Sequence, residues 1–343
     1  MRVLIVKLTS MGDLVHALPA ITDASRAIPH ITFDWVIDDA FAEVAQWHPQ
    51  VNRIIRSNHR RWKQNWFEHW RNGELKQFLH ELRHTHYDIM IDAQNNMKSA
   101  LISRLSRATS RCGMDKNSVR ERAATLAYHK KFAIPKHMHA ITRLRHLFAQ
   151  ALEYDCPTTP AEFSIDPQTM LLPNIALPER YLVFVHNVSW ESKGWPEIYW
   201  RELIALANQA NFSILLPWGT EAERERALRL TKNQMDASVL PHLSLTAIAA
   251  ILHHSQGAIC MDTGLSHIAA ALGVPAVTLY GSTDPFLIGT TGRHQVRMPV
   301  QFACAPCYRK KCNYEGDSLH RPACFVQHTP EKVWQQFMDL KSR

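Results

Sequence analysis

The chain contains two successive series of short apolar runs, each followed by a turn and then by a segment with helical spacing. The first run, residues 3–7, is continuous and rich in β-branched side chains, as expected for a strand covered on both faces of a parallel sheet. Gly12 then leads into apolar residues at helical spacing, and Pro19 either kinks this helix or marks its true start. Further strands in this half are predicted at residues 32–37, 53–55 and 87–91.

The same alternation begins again after a proline-rich stretch. Five prolines spread over residues 157–178 without periodicity predict a linker. Beyond it, strands are predicted at residues 181–185, 213–216, 257–261 and 276–280. Helices are predicted at residues 196–209, 220–230, 245–253 and 265–272. The sequence therefore predicts the α/β class, with two Rossmann-like parallel-sheet domains at residues 1–165 and 179–328, a linker at 166–178 and a C-terminal helix at 329–343.

Composition restricts the environment and the partners. No apolar run approaches the length of a spanning helix, and the N-terminus lacks the apolar core and cleavage site of a signal peptide. Seven cysteines, an odd number, favour a reducing compartment, so we expect a cytoplasmic protein. Positive charge is concentrated in residues 1–165, with 23 Lys and Arg against 16 Asp and Glu, whereas residues 166–343 carry 16 against 15. This basic half predicts an anionic partner, which nucleic acid, anionic lipid and phosphorylated glycan would each satisfy.

The segment from residue 260 to residue 285 has the most informative pattern for function. Asp262, Thr263 and Gly264 lie between a predicted strand and a helix of small residues, where backbone amides and the helix dipole could bind a diphosphate. The alternative is that Asp262 and Thr263 only cap the helix, and that His267 is a partly buried histidine without a ligand. A second polar turn, Gly281 to Pro285, follows the next strand and repeats this pattern, so it could contribute to the same ligand site or could be only a turn.

The corresponding loop of the first half is KLTSMGD, residues 7–13. A carboxylate at the end of a strand, such as Asp13, can accept a proton from an acceptor hydroxyl, although an N-cap role explains the residue equally well. The chain has neither the GxGxxG pattern of dinucleotide-binding dehydrogenases nor the GxxxxGK[ST] pattern of P-loop NTPases.

Two loops of the second half also carry candidate ligand-binding residues. Ser189 and Lys193 follow the strand at 181–185 and could contact phosphate oxygens, or could lie in an ordinary exposed loop. Glu223, in an acidic stretch after the strand at 213–216, could bind a ribose diol or could simply complement a helix dipole.

Two further patterns each allow two explanations. Cys304, Cys307, Cys312 and Cys324 resemble a zinc ribbon only loosely, so structural zinc and free thiols both stay open, and no metal is assigned to catalysis. Trp62, Trp66 and Trp70 recur every four residues and are predicted to share one helical face, which would either pack in the core or lie at a membrane interface.

Five segments together resemble the lipopolysaccharide heptosyltransferases, glycosyltransferase family 9, nearly from end to end. They are KLTSMGDLVHALPA at 7–20, YDIMIDAQNNMKSA at 87–100, GMDKNSVRE at 113–121, LPWGTEAERERA at 216–227 and MDTGLSHIAAALGVPAVTLYGSTDP at 261–285. One difference is Asn95, which stands where the family usually has glycine.

The resemblance implies a GT-B fold, in which two such domains face each other across a cleft, and a reaction that inverts the anomeric carbon without a metal or other cofactor. Heptose would move from ADP-heptose to a Kdo sugar of Kdo2-lipid A, at the cytoplasmic face of the inner membrane and with no nucleic acid involved. Transfer of the second heptose, or another transfer from ADP-heptose, is the alternative within the family. A non-catalytic polyanion- or membrane-binding protein is the alternative outside it.

The resemblance also implies a role for each matching residue. Asp13 would be the catalytic base, and Lys193, Thr263 and Gly264 would stabilise the departing ADP. The remaining donor contacts would be Ser189 to phosphate, Glu223 to ribose and Asp262 to heptose, with His267 supporting the loop. The anionic acceptor would be bound by Arg60, Arg61, Lys63 and Arg120.

Overall fold

The computed structural model describes residues 1–62 and 64–342, and the chain divides into two compact units, Met1–Asp166 and Pro167–Arg343. The first unit contains a six-stranded parallel sheet in the order β3-β2-β1-β4-β5-β6. Its strands are β1 Arg2–Val6, β2 Thr32–Asp38, β3 Val51–Ser57, β4 Tyr87–Asp92, β5 Ala108–Met114 and β6 Lys130–Phe132. The central position of β1 explains its continuous apolar sequence, because Val3 to Val6 are buried on both sides.

The helices of the first unit connect these strands in chain order. They are α1 Met11–Val15, α2 Leu18–Ala27, α3 Ala42–Gln46, α4 His59–Trp62, α5 Trp66–Arg71, α6 Glu74–His84, α7 Met97–Leu105 and α8 Ala140–Leu152, with 3₁₀ turns at Asp39–Phe41 and Arg122–Ala127. Pro19 lies in the first turn of α2, so it marks the start of a second helix rather than a kink.

The second unit repeats this topology. Its six parallel strands lie in the order β12-β11-β10-β7-β8-β9, so in both sheets the first strand lies between the second and the fourth. The strands are β7 Tyr181–Val185, β8 Ser213–Leu216, β9 Ala237–Val239, β10 Ala258–Met261, β11 Ala276–Tyr280 and β12 Gln295–Pro299. The helices are α9 Glu197–Gln209, α10 Glu221–Thr231, α11 Leu245–His254, α12 Gly264–Ala271, α13 Pro285–Ile288 and α14 Pro330–Lys341, with 3₁₀ turns at Pro167–Thr169, Glu191–Lys193 and Ala323–Gln327. The predicted pair of Rossmann-like sheets is confirmed.

The order of each sheet determines where a site can form. The strand order reverses between β1 and β4, because the strands after β1 run to one edge of the sheet and those after β4 to the other. The same reversal lies between β7 and β10. Ligands of open α/β sheets bind beyond the carboxyl ends of the strands at such points. The loops after β1, β4, β7 and β10 are therefore the loops that each unit brings together.

The prediction for the tryptophan-rich segment is wrong in part. α4 and α5 are separate helices, so Trp62, Trp66 and Trp70 do not share one helical face. Trp62 is buried, with its ring 5.0 Å from that of Phe78, whereas Trp66, Phe67 and Trp70 are 65 %, 58 % and 44 % exposed. Core packing therefore explains the first tryptophan and not the other two. None of the described helices combines the length and the hydrophobicity needed to cross a membrane.

Candidate active site

Asp13 lies just beyond the carboxyl end of β1, in the first turn of α1. The backbone amide and the hydroxyl of Ser10 both donate hydrogen bonds to Asp13 Oδ2, at 2.9 Å and 2.7 Å. Ser10 is therefore the N-cap residue, and Asp13 is the residue three positions later whose carboxylate binds back to it. These bonds orient the half-buried carboxylate.

The loop after β4 holds the Asp13 loop in place. Gln94 Oε1 accepts hydrogen bonds from the amides of Leu8 and Thr9, at 3.0 Å and 3.1 Å. Gln94 is in turn oriented by the buried Asp92, whose Oδ1 accepts the amides of Gln94 and Asn95, each at 2.9 Å. The sequence motif at residues 87–100 is thus the part of the unit that positions the loop carrying Asp13.

Asn95 adopts a backbone conformation that would also suit the glycine expected at this position of the motif. Its φ of 59° lies in the left-handed region, which glycine adopts at no steric cost and asparagine tolerates better than most residues. The amide of Met114 also donates to its side-chain oxygen at 3.4 Å. Asparagine is therefore compatible with the backbone conformation of the loop.

A cavity of about 500 Å³ opens beside Asp13. Among the described residues that line it, the carboxylate of Asp13 is accompanied by four cationic side chains, Lys7, Arg120, Lys136 and Arg143. Lining residues that are neutral or titratable include His16, Gln94, Asn95 and Ser118. A cavity with such an excess of positive charge suits an anionic ligand.

Two of these cations are held by backbone carbonyl groups. Lys7 Nζ donates to the carbonyl of Ala93 at 3.0 Å, and burial lowers the pKa of Lys7 while nearby Asp13 and Asp92 raise it. Arg143 donates to the carbonyl of Ser118 at 2.7 Å, and burial likewise lowers its pKa. Both side chains are therefore positioned by the protein before any ligand arrives.

The predicted acceptor residues are found in different places. Arg120 lines the cavity and is exposed. Arg60 lies 3.5 Å from Asp38 Oδ2 and 5.5 Å from the centre of the Phe41 ring, and Arg61 pairs with Glu74 at 2.5 Å. Arg60 and Arg61 are not among the residues that line the cavity, and Lys63 lies outside the described residues.

Sequence reasoning missed three of the four cations in the cavity. Lys7 was within the quoted motif and directly follows β1, a position that could have identified it. Lys136 and Arg143 belong to no motif. Lys136 reaches the cavity from the segment before α8, and Arg143 reaches it from the first turn of α8. Arg120, on the loop after β5, was the one predicted.

In the second unit, Asp262 is the centre of a buried polar cluster at the end of β10. Lys193 Nζ lies 2.6 Å from Asp262 Oδ2, and Thr283 donates its hydroxyl to the same oxygen at 2.6 Å. His267 Nε2 is 4.0 Å from the other carboxylate oxygen. The side chains of Lys193 and Asp262 are 13 % and 4 % exposed. The structure thus brings together three predicted residues and adds Thr283 from the turn after β11.

The start of α12 is arranged as the sequence predicted. Thr263 is the N-cap residue and Gly264 the first helical residue, so the amides that begin the helix lie next to Asp262. The Thr263 hydroxyl is buried and has no hydrogen-bond partner among the described residues. The neighbouring Ser266 hydroxyl donates to the Thr263 carbonyl. A ligand at this terminus would find a hydroxyl that can still donate.

The other two predicted donor residues are less closely involved. Ser189 is exposed in the loop after β7. Glu223 accepts hydrogen bonds from the amides of Gly219 and Thr220 at its Oε2, at 2.8 Å and 3.0 Å, which completes a capping box for α10. Capping of the helix start therefore accounts for the hydrogen bonds of one oxygen of the Glu223 carboxylate.

The four clustered cysteines line one small cavity of about 20 Å³, together with Gly281 and Ser282. Their thiols are free, and no group of three or more His, Cys, Asp or Glu side chains in the described part of the chain is placed to hold a metal ion. The cysteine-rich segment contacts the loops that follow β7 and β11. The Ser192 amide donates to the Lys310 carbonyl at 3.2 Å, and the Tyr308 amide donates to the Ser282 carbonyl at 2.7 Å.

Residues 75–317 match the model of Glycosyltransferase family 9 (heptosyltransferase). The chain is also 43 % identical, over 98 % of its length and 97 % of the relative's, to Lipopolysaccharide heptosyltransferase 1 of Pseudomonas aeruginosa. The chain belongs to glycosyltransferase family 9.

Other relatives of this family agree in sequence and in fold. Lipopolysaccharide heptosyltransferase 1 of Escherichia coli K12 is 45 % identical over 86 % of this chain and 92 % of its own. The structure of E. coli heptosyltransferase WaaC with ADP has a TM-score of 0.87 at 40 % identity, and covers 99 % of this chain and 100 % of that one. The family 9 chain described here therefore has the GT-B fold and is a lipopolysaccharide heptosyltransferase.

A more distant member shares the fold alone. E. coli ADP-heptose lps heptosyltransferase II has a TM-score of 0.76 at 18 % identity, covering 99 % of this chain and 98 % of that one.

Proposed function

We propose that this chain transfers L-glycero-D-manno-heptose from ADP-heptose to a Kdo hydroxyl of Kdo2-lipid A, with inversion at the anomeric carbon and without a metal ion. The observation that carries the proposal is the cavity beside Asp13, where one oriented carboxylate accompanies Lys7, Arg120, Lys136 and Arg143. A Kdo sugar offers both of the groups such a cavity requires, a hydroxyl for the carboxylate and an acidic group for the cations.

In the proposed reaction, Asp13 accepts the proton of the Kdo hydroxyl while the hydroxyl oxygen forms a bond to the anomeric carbon of heptose. The bond from that carbon to the ADP oxygen breaks, and its electron pair leaves with ADP. Because the attack and the departure occur on opposite faces of the sugar, the configuration inverts. The hydrogen bonds from Ser10 keep Asp13 in one orientation during this step.

The second unit is proposed to bind the donor. Lys193 would neutralise charge that develops on the departing diphosphate, and the amides at the start of α12 would contribute the positive end of a helix dipole. The buried hydroxyl of Thr263 would donate to the same group. Solved structures of E. coli WaaC contain ADP and ADP-2-deoxy-2-fluoro heptose, which supports an ADP-sugar as the donor of this chain.

The assay that tests the proposal uses ADP-heptose with two acceptors, Kdo2-lipid A and the same lipid already carrying one heptose. We expect transfer to the first acceptor, detected by mass spectrometry, and undiminished transfer when a chelator is present. Product on the heptosylated acceptor alone would assign a later step of core synthesis and contradict the proposed acceptor.

A variant tests the role of Asp13. Asp13→Asn keeps an oxygen that can accept from Ser10 but cannot take the proton, so kcat should fall by roughly a hundredfold to ten-thousandfold with ADP-heptose binding unchanged. Asp39→Asn is the matched control, because the Asp39 carboxylate pairs with Arg56 outside the cavity. If the chain were a non-catalytic polyanion-binding protein, neither variant would change its measured properties.

We also propose that the protein acts at the cytoplasmic face of the inner membrane as a peripheral protein. The support comes from α5, where Trp66, Phe67 and Trp70 are exposed and Lys76 Nζ lies 5.6 Å from the centre of the Trp70 ring. Aromatic and basic side chains together suit an interface of anionic headgroups. Replacing Trp66 and Phe67 by serine should reduce co-sedimentation with phosphatidylglycerol vesicles, and unchanged co-sedimentation would contradict this role of α5.

A further inference from the structure

The exposed face of α7 carries a second apolar surface, separate in sequence from α5. Met97, Leu101 and Leu105 recur every four residues and are therefore on one side of the helix, where they are 48 %, 61 % and 37 % exposed. The 3₁₀ turn Arg122–Ala127 packs against α7 and adds Leu126, which is 80 % exposed. Single exposed leucines are ordinary, but four large apolar side chains on two adjoining elements form a patch.

The charges around this apolar stripe are mainly positive, and the exposed Glu121, at its start, is the acidic exception. Residues 93–107 contain no Asp or Glu, while Lys98, Arg104 and Arg107 are all exposed. Arg122, on the adjoining turn, is exposed as well. An apolar helix face flanked by cations is the pattern of segments that lie in the interface of an anionic membrane.

The stripe begins next to the proposed acceptor cavity. Asn95 and Arg120 line that cavity, and the Glu121 amide donates to the Asn95 carbonyl at 3.3 Å. The Met97 amide in turn donates to Glu121 Oε2 at 2.9 Å, so the start of α7 is tied to the loop that carries Arg120. From Met97 to Leu105 the helix extends about 12 Å away from this point.

The charge pattern argues against a second copy of the chain as the occupant. A twofold interface would place the same patch on both protomers, so Lys98, Arg104 and Arg107 would face identical cations. Phosphorylated and anionic lipids instead supply both acyl chains for the leucines and negative headgroups for the basic side chains.

We infer that Met97, Leu101, Leu105 and Leu126 form a lipid-contacting surface that lies on an anionic bilayer and presents a membrane-held acceptor to the Asp13 cavity. This inference rests on the proposed function, because it assumes that the acceptor sugar is attached to a lipid. It assigns to α7 a role in acceptor recognition that is separate from binding the sugar.

The test compares a triple variant with a matched control. Leu101→Gln, Leu105→Gln and Leu126→Gln remove the apolar surface while keeping residues compatible with a helix. The control combines Leu171→Gln, Leu228→Gln and Leu319→Gln, three leucines of the second unit that are 83 %, 46 % and 89 % exposed. Both proteins are assayed with Kdo2-lipid A in phosphatidylglycerol vesicles and with the same acceptor after removal of its acyl chains.

The surface predicts a selective defect. The triple variant should lose at least about tenfold in kcat/KM on the vesicle acceptor and in binding to phosphatidylglycerol vesicles, with less than about a twofold change on the deacylated acceptor. The control should match the wild type with both acceptors.

Three results would overturn the inference. They are an equal loss on both acceptors, no loss on the vesicle acceptor, and a change of oligomeric state in sedimentation velocity without a change in vesicle binding. Failure of the proposed function can be distinguished from failure of this inference. If the proposed function is wrong, the wild type transfers heptose to neither acceptor, and vesicle binding by the triple variant still tests the α7 surface.

Discussion

Replacing Lys193 by methionine tests how strongly the buried ion pair organises the donor side of the second unit. The two charged groups are 2.6 Å apart, and Coulomb's law at an effective dielectric constant of about 20 gives roughly 6 kcal/mol of attraction at that distance. Part of this offsets the desolvation of both groups. The Asp262 side chain is 4 % exposed, and without Lys193 its charge would lose its ion-pair partner and keep the hydrogen bond from the Thr283 hydroxyl. We therefore expect Lys193→Met to lower the free energy of unfolding by about 3 kcal/mol or more.

Hydrogen exchange measured by mass spectrometry can locate this loss. In peptides that cover β10 and α12, the protection factors against exchange should fall by at least about a hundredfold. The reason is that each factor of ten corresponds to about 1.4 kcal/mol of the expected loss. Peptides that cover β1, in the first unit, provide an internal control and should be unchanged. In the double variant Lys193→Met, Asp262→Asn, most of the protection should return, since no buried charge is left without a partner.

Protection of β10 within about threefold of the wild type in Lys193→Met would contradict an organising role for the ion pair. Equally fast exchange in the double and the single variant would also contradict it, because the loss would then come from the lysine's packing and not from the isolated carboxylate.

Three further predictions address other parts of the structure. A Cβ on Gly113 would clash with the ring of Tyr128, whose hydroxyl donates to Asp92 at 2.7 Å, so Gly113→Ala should lower the free energy of unfolding, measured in urea, by about 2–3 kcal/mol. Asn95→Gly should keep the thermal midpoint, whereas Asn95→Val should lower it, because a β-branched residue is strained at a φ of 59°. Burial, with a smaller contribution from Arg226, lowers the pKa of His186 to about 3. As the pH falls, the histidine therefore binds a proton in the unfolded chain before it does so in the folded chain. Its stabilising effect is present above about pH 6.5 and is lost as the pH falls towards 3, and the free energy of unfolding is lower by about 2 kcal/mol at about pH 5. Urea titrations across this range should show a shallower pH dependence for His186→Phe.

Central strands were easier to predict than the strands near the sheet edges. All eight predicted strands are present, and β7, β8 and β11 have the predicted bounds. The four missed strands, β5, β6, β9 and β12, lie at or next to an edge and are partly exposed, so their sequences mix polar and apolar residues.

The sequence by itself determined the α/β class, the repeat of one topology and the loops that carry Asp13, Lys193 and Asp262. Each of these depends on local patterns, namely apolar runs, turns and motifs that directly follow strands. Tertiary structure decided which side chains meet. Lys136 and Arg143 reach the cavity beside Asp13 from a segment more than 120 residues further along the chain. Thr283 joins Lys193 on the Asp262 carboxylate across the ends of neighbouring strands. Such contacts follow from the strand order of each sheet, which brings distant loops together and leaves no periodic signal in the sequence.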